Sequence, residues 1–572
     1  MEIYLVLVGG SLYAQKRWSV NYLFSDSTFQ NAIVKKLPDF IIDSISGVQI
    51  IQQNIIKLHQ QGYLTASIDS ISWKKDTLLI FAYLGSRFKW ARLSQGNIRD
   101  EILREVDFRE KIYRDKQFNY LELADLEKRI LVYSEEHGYP FATISLDSIQ
   151  IRDDNISAKL QYEPGVYIVF DTIRVIGSAR LKKRFLENWL RIIPGQPYSQ
   201  KRLDQAYNLL KQQSYLSLTQ PYEVLFKNDR AYITFFADAG KSSEADGIIG
   251  FQPNEQKEGK LLLTGEVNLK LNNLLNAGGS FLFSWQQIKQ GSPRLNISYT
   301  QPAFFKTPLE INGAFQLLRE DTSSTVLNGY VTLSQQLNIF YNLDSWNKIG
   351  IGVNRYNSRL ADSTIKGTVQ QADINWLSYN AFYTYKAVDN LLYPKKGWWI
   401  SANIAIGNKE VSPSDQIDLQ IIKRSSPQLA YRFTLRKYSR TGKKSSIFFQ
   451  LSAAQIFNDN LFQNELFRLG GLTSIRGFNE NFFFASDYVT STLEYRFFWE
   501  QTSYLFVFYD QAWIRTQILK ASVTDIPSGF GAGMSFSTKT GIFTIMYALG
   551  NSQTRPFSIG YSKIHFGLTS RF

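Results

Sequence analysis

The chain has 572 residues, which is too long for one ordinary domain, and 15% of them are aromatic. It contains no cysteine, which excludes disulfides, thiolate metal sites, a cysteine nucleophile and a lipoprotein-type anchor. The net charge of +14 is spread along the chain, and the three histidines, His59, His137 and His565, lie far apart. We therefore expect no nucleic-acid partner, no metal site and no cofactor.

Residues 1–15 form a short apolar segment that ends in small residues, which is typical of an export signal. Glu2 stands where such signals carry Lys or Arg, so a start further upstream or a truncated signal stays open. No later stretch has the roughly 20 apolar residues of a spanning helix, so any membrane insertion must use strands.

Three similar segments follow, at residues 16–86, 87–165 and 166–240. The matching tyrosines Tyr63, Tyr139 and Tyr215 are evenly spaced. Before each tyrosine the apolar residues recur at helical spacing, and after it two alternating stretches indicate a hairpin, such as 67–73 with 77–83. Ser46 and Asn119 are predicted to cap the first two helices. Each segment is thus predicted to be a small α+β domain.

From residue 241 to 572 the helical periodicity gives way to short alternating segments separated by turn residues. In one of them the apolar Phe281, Phe283 and Trp285 alternate with polar partners. This pattern predicts a transmembrane antiparallel β-barrel of about sixteen strands. A soluble array of β-sandwiches is the alternative interpretation of the same pattern.

The first and last strands should meet at the seam of such a barrel. The first candidate, residues 247–251, is short and contains glycines, which weaken strand pairing. We predict that the seam opens laterally and involves six residues, namely Gly247, Ile249, Gly250, Ile564, Phe566 and Phe572.

The stretch FRLGGLTSIRGFNE at 467–480 is the most specific in the chain. Together with YTQPAFF at 299–305, FVFYDQAW at 506–513 and the terminal Phe572, it closely resembles the signature of the BamA/TamA superfamily of outer-membrane assembly and translocation proteins. The number of N-terminal segments favours the TamA-like branch. Those segments resemble POTRA domains, best in the third, where PGQPYS precedes the helix. Periodicity alone leaves open that such units merely pack together.

The resemblance implies that the motif Ile475, Arg476, Gly477 and Phe478 folds back into the barrel lumen. Arg476 would pair there with a carboxylate on a neighbouring strand, either Asp510 or Glu494. An arginine suits this role because its guanidinium can bind a carboxylate through two parallel hydrogen bonds. Ala512 departs from the family pattern, which usually has glycine at this point.

The function implied is insertion or translocation of proteins at the outer membrane of a Gram-negative cell, with the N-terminal domains in the periplasm. The expected partners are unfolded outer-membrane or secreted proteins and outer-membrane lipid. These N-terminal domains form an arm. Whether a periplasmic protein, an inner-membrane protein or a lipoprotein docks on this arm stays open. The alternative is a two-partner secretion transporter that exports one dedicated protein. No motif for a nucleophile, a paired-carboxylate cleft or a phosphate loop appears, so we expect no enzyme and no catalytic residue.

Overall fold

The computed structural model describes residues 18–24, 40–41, 44–74, 77–240, 242–253, 261–287, 292–320, 329–360, 371–391, 393–412, 422–472, 474–537 and 541–571. The predicted export segment lies outside these residues. The chain divides into two compact units. The first comprises Met1–Val169, Gly195–Lys201 and Lys227–Ala231, and the second comprises Phe170–Pro194, Arg202–Phe226 and Tyr232–Phe572. Among the helices described, none is long and apolar enough to cross a bilayer.

The first domain has a sheet of four strands and one helix. Its elements are β1 (Trp18–Phe24), β2 (Phe40–Ile41), α1 (Ser44–Gln60), β3 (Ser67–Lys74) and β4 (Thr77–Tyr83), and the sheet order is β2-β1-β4-β3. Strand β1 is parallel to β4, and β3 and β4 form the predicted hairpin. Ile51 and Leu58 of α1 are buried in the core with strand β4, as their helical spacing predicts. The helix begins at Ser44, so the predicted start at Ser46 is wrong by two residues.

The second sheet has three strands in the order β5-β7-β6. Its elements are β5 (Lys89–Ser94), α2 (Asp100–Glu105), α3 (Glu110–Tyr113), α4 (Tyr120–Glu136), β6 (Thr143–Arg152) and β7 (Asn155–Glu163). The side chain of Asn119 accepts the N–H of Leu121 at 2.9 Å, which confirms the predicted cap of α4. Helices α2 and α3 were not predicted because both are shorter than the window of about 11 residues over which apolar periodicity becomes visible.

The third sheet has the order β8-β10-β9. Its elements are β8 (Val169–Ile176), α5 (Lys183–Leu190), α6 (Gln200–Lys211), β9 (Leu216–Lys227) and β10 (Arg230–Ala239). Leu203, Ala206 and Leu210 of α6 are almost completely buried, so this helix presents the predicted apolar stripe to its core.

Most of the remaining described strands form a closed antiparallel barrel. They are β11 (Glu244–Pro253), β12 (Leu261–Leu274), β13 (Gly279–Gln287), β14 (Arg294–Gln301), β15 (Leu309–Glu320), β16 (Tyr330–Asn342), β17 (Asn347–Leu360), β18 (Ile374–Val388), β19 (Gly397–Val411), β20 (Ser425–Arg440) and β21 (Ser445–Phe457), followed by β24 (Asp487–Phe498), β25 (Tyr504–Ile518), β26 (Ala521–Asp525), β27 (Ser528–Ser537), β28 (Gly541–Asn551) and β29 (Lys563–Arg571). A separate two-stranded sheet, β22 (Phe467–Leu469) with β23 (Phe483–Ala485), lies between β21 and β24 in the chain.

The barrel has sixteen strand positions within the described residues. Seventeen strands take part in it, but β26 and β27 pair with different parts of the same strand, β25, and therefore share one position. The prediction of about sixteen strands is confirmed. Side chains alternate along each strand, so that Ile404 and Ile406 are exposed on the outer face while Ala405 between them is buried.

One end of the barrel contacts the segments that directly follow helices α5 and α6 of the third N-terminal domain. We call this end of the barrel the arm end. The guanidinium of Arg191 donates to the carbonyl oxygen of Asn342, and its Cζ lies 4.4 Å from the centre of the Tyr341 ring. The side chain of Gln212 donates to the carbonyl oxygen of Ser345 at 2.5 Å. These contacts attach α5 and α6 to the turn between β16 and β17.

That turn is fixed by its own carboxylate. Asp344 accepts the N–H of Trp346 at 2.6 Å and that of Asn347 at 2.8 Å. Burial raises the pKa of Asp344, but these hydrogen bonds outweigh it and hold the pKa below its ordinary value. The turn therefore presents a preformed surface to the arm.

Candidate functional site

The loop between β21 and β24, residues 458–486, carries the motif that the sequence singled out. Gly470 has a φ of +115°, and there the hydroxyl of Ser474 both accepts its N–H at 2.7 Å and donates to its carbonyl oxygen at 3.0 Å. Ile475 and Phe478 are completely buried in a cluster with side chains of β24 and β25. The motif thus packs against the inner face of these two strands.

Arg476 is held by three hydrogen bonds to one carboxylate. Its Nε donates to Oδ2 of Asp510 at 2.8 Å, its Nη2 donates to Oδ1 at 2.7 Å, and its backbone N–H donates to Oδ2 at 3.0 Å. Arg476 is 7% exposed and Asp510 1% exposed. Charge-assisted bonds of this kind are roughly twice as strong as neutral ones, and the two parallel bonds also fix the orientation of the guanidinium.

The second predicted carboxylate, Glu494, binds the same arginine from the neighbouring strand. Its Oε2 accepts from Nη1 of Arg476 at 2.9 Å, and its Oε1 accepts from Nε of Arg496 at 2.7 Å. The hydroxyl of Thr492 donates to Asp510 at 2.8 Å. The cluster contains two arginines and two carboxylates, so its formal charges balance, as a buried ionic network requires.

The guanidinium also lies against an aromatic ring. Its Cζ is 3.5 Å from the centre of the Phe508 ring, at the distance of a cation–π contact. The side chains that bind the Arg476 guanidinium thus belong to strands β24 and β25, while the arginine itself belongs to the loop. The arrangement can hold the loop inside the barrel, and it would release the loop only if these bonds broke together.

Glycines make the close approach of the loop possible. Gly477 has a φ of +91°, and a Cβ there would lie 2.5 Å from the carbonyl carbon of Leu549 on β28. A Cβ at Gly529 on β27 would lie 2.0 Å from the carbonyl oxygen of Arg476. Ala512, which departs from the family pattern, is 2% exposed and packs in the cluster around Ile475 and Phe478, so its methyl group has room.

Two further ion pairs were not predicted, one of them completely buried. Nζ of Lys409 on β19 donates to Glu465 of the loop at 2.7 Å, and these side chains are 0% and 3% exposed. Arg515 on β25 donates twice to Asp487 on β24, at 2.9 and 2.8 Å. Strand parity was the available signal for Lys409, because it shares the inner face with the buried Ala405.

A cavity of about 700 Å³ separates the loop from the opposite wall of the barrel. Its lining combines apolar side chains with polar and cationic groups, among them Arg294, Asn354, Asn403 and Arg468. Arg468 of the loop donates to the hydroxyl of Tyr330 and lies 3.5 Å from Glu320, so the loop is attached to this wall as well.

The seam between the first and last strands has few paired residues. In the described residues β11 pairs with β29 at two positions, Glu244 with Arg571 and Ala245 with Ser570, both at the arm end. By contrast, β11 pairs with β12 at ten positions and β28 with β29 at eight.

The predicted seam residues lie on these two strands. Gly247, Ile249 and Gly250 pair with β12, while Ile564 and Phe566 pair with β28. Continuing the seam register from the arm end would place Ile249 opposite Phe566, but neither is paired across the seam. Strand β11 begins at Glu244, three residues before the predicted start. Phe572 lies outside the described residues.

Known proteins share this architecture. Residues 388–536 match the family of haemolysin secretion/activation proteins ShlB/FhaC/HecB. CdiB from Escherichia coli is 12% identical, with a TM-score of 0.55 over 92% of this chain and 98% of its own. CdiB from Acinetobacter baumannii is 14% identical, with a TM-score of 0.54 over 93% of this chain and 100% of its own. No curated protein sequence matches the chain.

At these identities the solved structures establish the fold, and the family match adds a sequence relationship over the second half of the barrel. The narrower TamA-like assignment stays a prediction. The solved structures confirm the predicted architecture, a β-barrel preceded by small α/β domains, and the family match relates residues 388–536 to haemolysin secretion/activation proteins.

Proposed function

We propose that this protein moves client proteins into or across the outer membrane. The periplasmic domains receive unfolded outer-membrane or secreted proteins, and the barrel passes them on. The observation that carries the proposal is the seam, where two residue pairs join strands that each make eight or ten pairs on their other side.

The seam is the place where the barrel opens at the lowest cost. Each backbone hydrogen bond contributes about 0.5–1.5 kcal/mol net, so parting two residue pairs costs far less than parting any of the long strand pairs beside them. Opening exposes the edges of β11 and β29, and an exposed edge is a template for another strand. A client strand can pair there and pass sideways into outer-membrane lipid.

The periplasmic domains offer edges of the same kind. Strands β3, β6 and β9 each lie at the edge of their sheet. On β6 the side chains of Ile149 and Ile151 are 55% and 58% exposed. An extended client can add a strand to such an edge and place its own apolar side chains beside these residues. Docking of a periplasmic protein, an inner-membrane protein or a lipoprotein on the first domain would use the same chemistry.

Secretion of a dedicated protein is the second candidate, and the match to the haemolysin secretion/activation family favours it. In that route the client passes through the lumen, so the loop held by Arg476 has to leave. In the insertion route the client passes through the seam and the loop can stay. Since the charged groups of the loop site pair with one another, neither route assigns them a catalytic role.

Depletion of the protein in its own host, followed by quantitative proteomics of the outer membrane, periplasm and medium, tests the proposal. Loss of several unrelated barrel proteins from the membrane is the result expected for insertion. Loss of one secreted protein with an unchanged membrane would assign the secretion route. If neither the membrane nor the medium changes, the protein does not handle protein clients and the proposal fails.

A further inference from the structure

The outer face of the barrel carries three arginines at the end opposite to the arm, on the two strands that flank β16. Arg319 lies on β15, and Arg355 and Arg359 lie on β17. All three are exposed. Because the arm is periplasmic, this end of the barrel faces the cell exterior.

Strand register brings the three side chains together. Arg319 is opposite Val331 of β16, and Val331 is opposite Arg359, so these two arginines stand in one row two strands apart, about 10 Å. Arg355 is on the same strand and the same face as Arg359, four residues closer to the arm end.

Strand parity shows that these residues point away from the lumen. On β17 the intervening Asn354 and Tyr356 line the lumen cavity. On β15, Glu320 contacts the loop. Its neighbour Arg319 is opposite Val331 of β16, which has the same strand parity as the exposed Leu337 and Ile339. The odd-numbered residues of both strands therefore form the lipid-facing surface.

The arginines lie at the outer boundary of the apolar belt. On β17 the outward Ile349, Ile351 and Val353 are at least 40% exposed, and the next outward residue is Arg355. Arg355 lies nine residues beyond Trp346, which is 38% exposed at the arm end. A tilted strand needs about 9–11 residues to cross the hydrocarbon layer, so Arg355 reaches the external headgroups.

All three guanidinium groups are exposed, and none of the ion pairs among the described residues includes them. The neighbouring outward positions at this end differ in character. On β18 and β19 they are occupied by Asn375 and Glu410, and the side chain of Asn375 donates to Glu410 at 3.3 Å. On the side of β18 the cationic patch therefore ends at β17.

We propose that Arg319, Arg355 and Arg359 bind the phosphate groups of a lipid A-type glycolipid in the outer leaflet of the membrane. Guanidinium groups suit phosphates because their donors form two parallel hydrogen bonds to the oxygens. The acyl chains would lie on the apolar belt of β15–β17 below. The site holds for either client route, because it lies on the outside of the barrel, away from both lumen and seam.

Binding of purified bisphosphorylated lipid A to the full-length protein in detergent micelles tests the proposal, with native mass spectrometry as the readout. We expect the triple variant R319Q/R355Q/R359Q to bind on the order of 100-fold more weakly, since each cation at a lipid surface contributes about a factor of five. The matched control is Lys437→Gln. Lys437 is also exposed, but it lies near the arm end of β20 with its Nζ 4.6 Å from the centre of the Trp398 ring.

Binding measurements with other lipids and with free phosphate identify the ligand. Dephosphorylated lipid A and inorganic phosphate should bind to neither the wild type nor the triple variant, and phosphatidylglycerol should not distinguish the two. Unchanged affinity of the triple variant for bisphosphorylated lipid A would overturn the site, and so would an equal loss in the Lys437→Gln control. If the triple variant does not fold, the single variants Arg319→Gln and Arg355→Gln should each lose about fivefold, and no loss in either refutes the proposal.

Discussion

The guanidinium of Arg476 and the carboxylate of Asp510 form two parallel hydrogen bonds of 2.8 and 2.7 Å, and the backbone N–H of Arg476 adds a third at 3.0 Å. One residue belongs to a long loop and the other to the barrel wall. The position of the loop in the barrel therefore depends on a pair that is almost completely removed from water. Removing this pair should therefore change both the melting temperature of the protein and the conductance of the barrel.

Arg476→Ala leaves Asp510 buried without its main partner and removes one of the two arginines that bind Glu494. Breaking a buried pair in this way costs about 3–5 kcal/mol, so we expect a lower melting temperature in detergent. We also expect larger single-channel conductance in planar bilayers, because the loop is freed. Arg440→Ala is the matched control, since Arg440 bonds only to carbonyl oxygens of its own exposed turn among the described residues. Wild-type conductance and stability in Arg476→Ala would contradict the prediction.

Gly477→Ala should displace the loop without removing any charge. The new Cβ would lie 2.5 Å from the carbonyl carbon of Leu549, and the φ of +91° adds strain of roughly 1–2 kcal/mol. Gly195→Ala is the control, because Gly195 has a similar φ of +86° but nothing within 4 Å of the new Cβ. Protease accessibility of the loop should rise in the first variant alone. Equal accessibility in the two variants would mean that backbone strain, and not the close contact, matters.

Lys409→Met should destabilise the barrel because it leaves Glu465 buried beside apolar groups. The expected cost is about 3–5 kcal/mol, measured as a shift in the denaturant midpoint of the detergent-solubilised protein. The double variant K409M/E465L removes both charges and should recover most of the loss, since a buried pair is often replaceable by apolar residues. If the double variant is as unstable as the single one, the packing of Lys409 is more important than its charge.

A disulfide across the seam should stop client transfer. Ile249→Cys with Phe566→Cys places the thiols in the register set by Glu244 and Arg571, and no native cysteine competes. We expect the oxidised protein to keep its heat-modifiable migration but to lose insertion activity, and reduction should restore it. The control pair Met534→Cys with Ile545→Cys joins β27 to β28, which are already paired, and should remain active when oxidised. Full activity of the locked seam would rule out lateral transfer.

Much of the fold follows from local patterns in the sequence. Helix α4 and its cap Asn119 were predictable because an apolar stripe and an N-cap are encoded within a few residues. The barrel was predictable because the alternation of side chains repeats in each strand. The number of strand positions followed from chain length, with β26 and β27 sharing one position.

The sequence by itself determined which residues alternate, where turns fall and which motif is unusual, since these depend on near neighbours in the chain. Only the tertiary structure decided that Arg476 binds both Asp510 and Glu494. It also decided that Lys409 forms an ion pair with Glu465, and that Arg319 and Arg359 lie in one row across the strands. These relationships depend on strand register and on the path of a loop. A shift of one residue in register would turn every side chain of a strand to the other face, and no local pattern records which register neighbouring strands adopt.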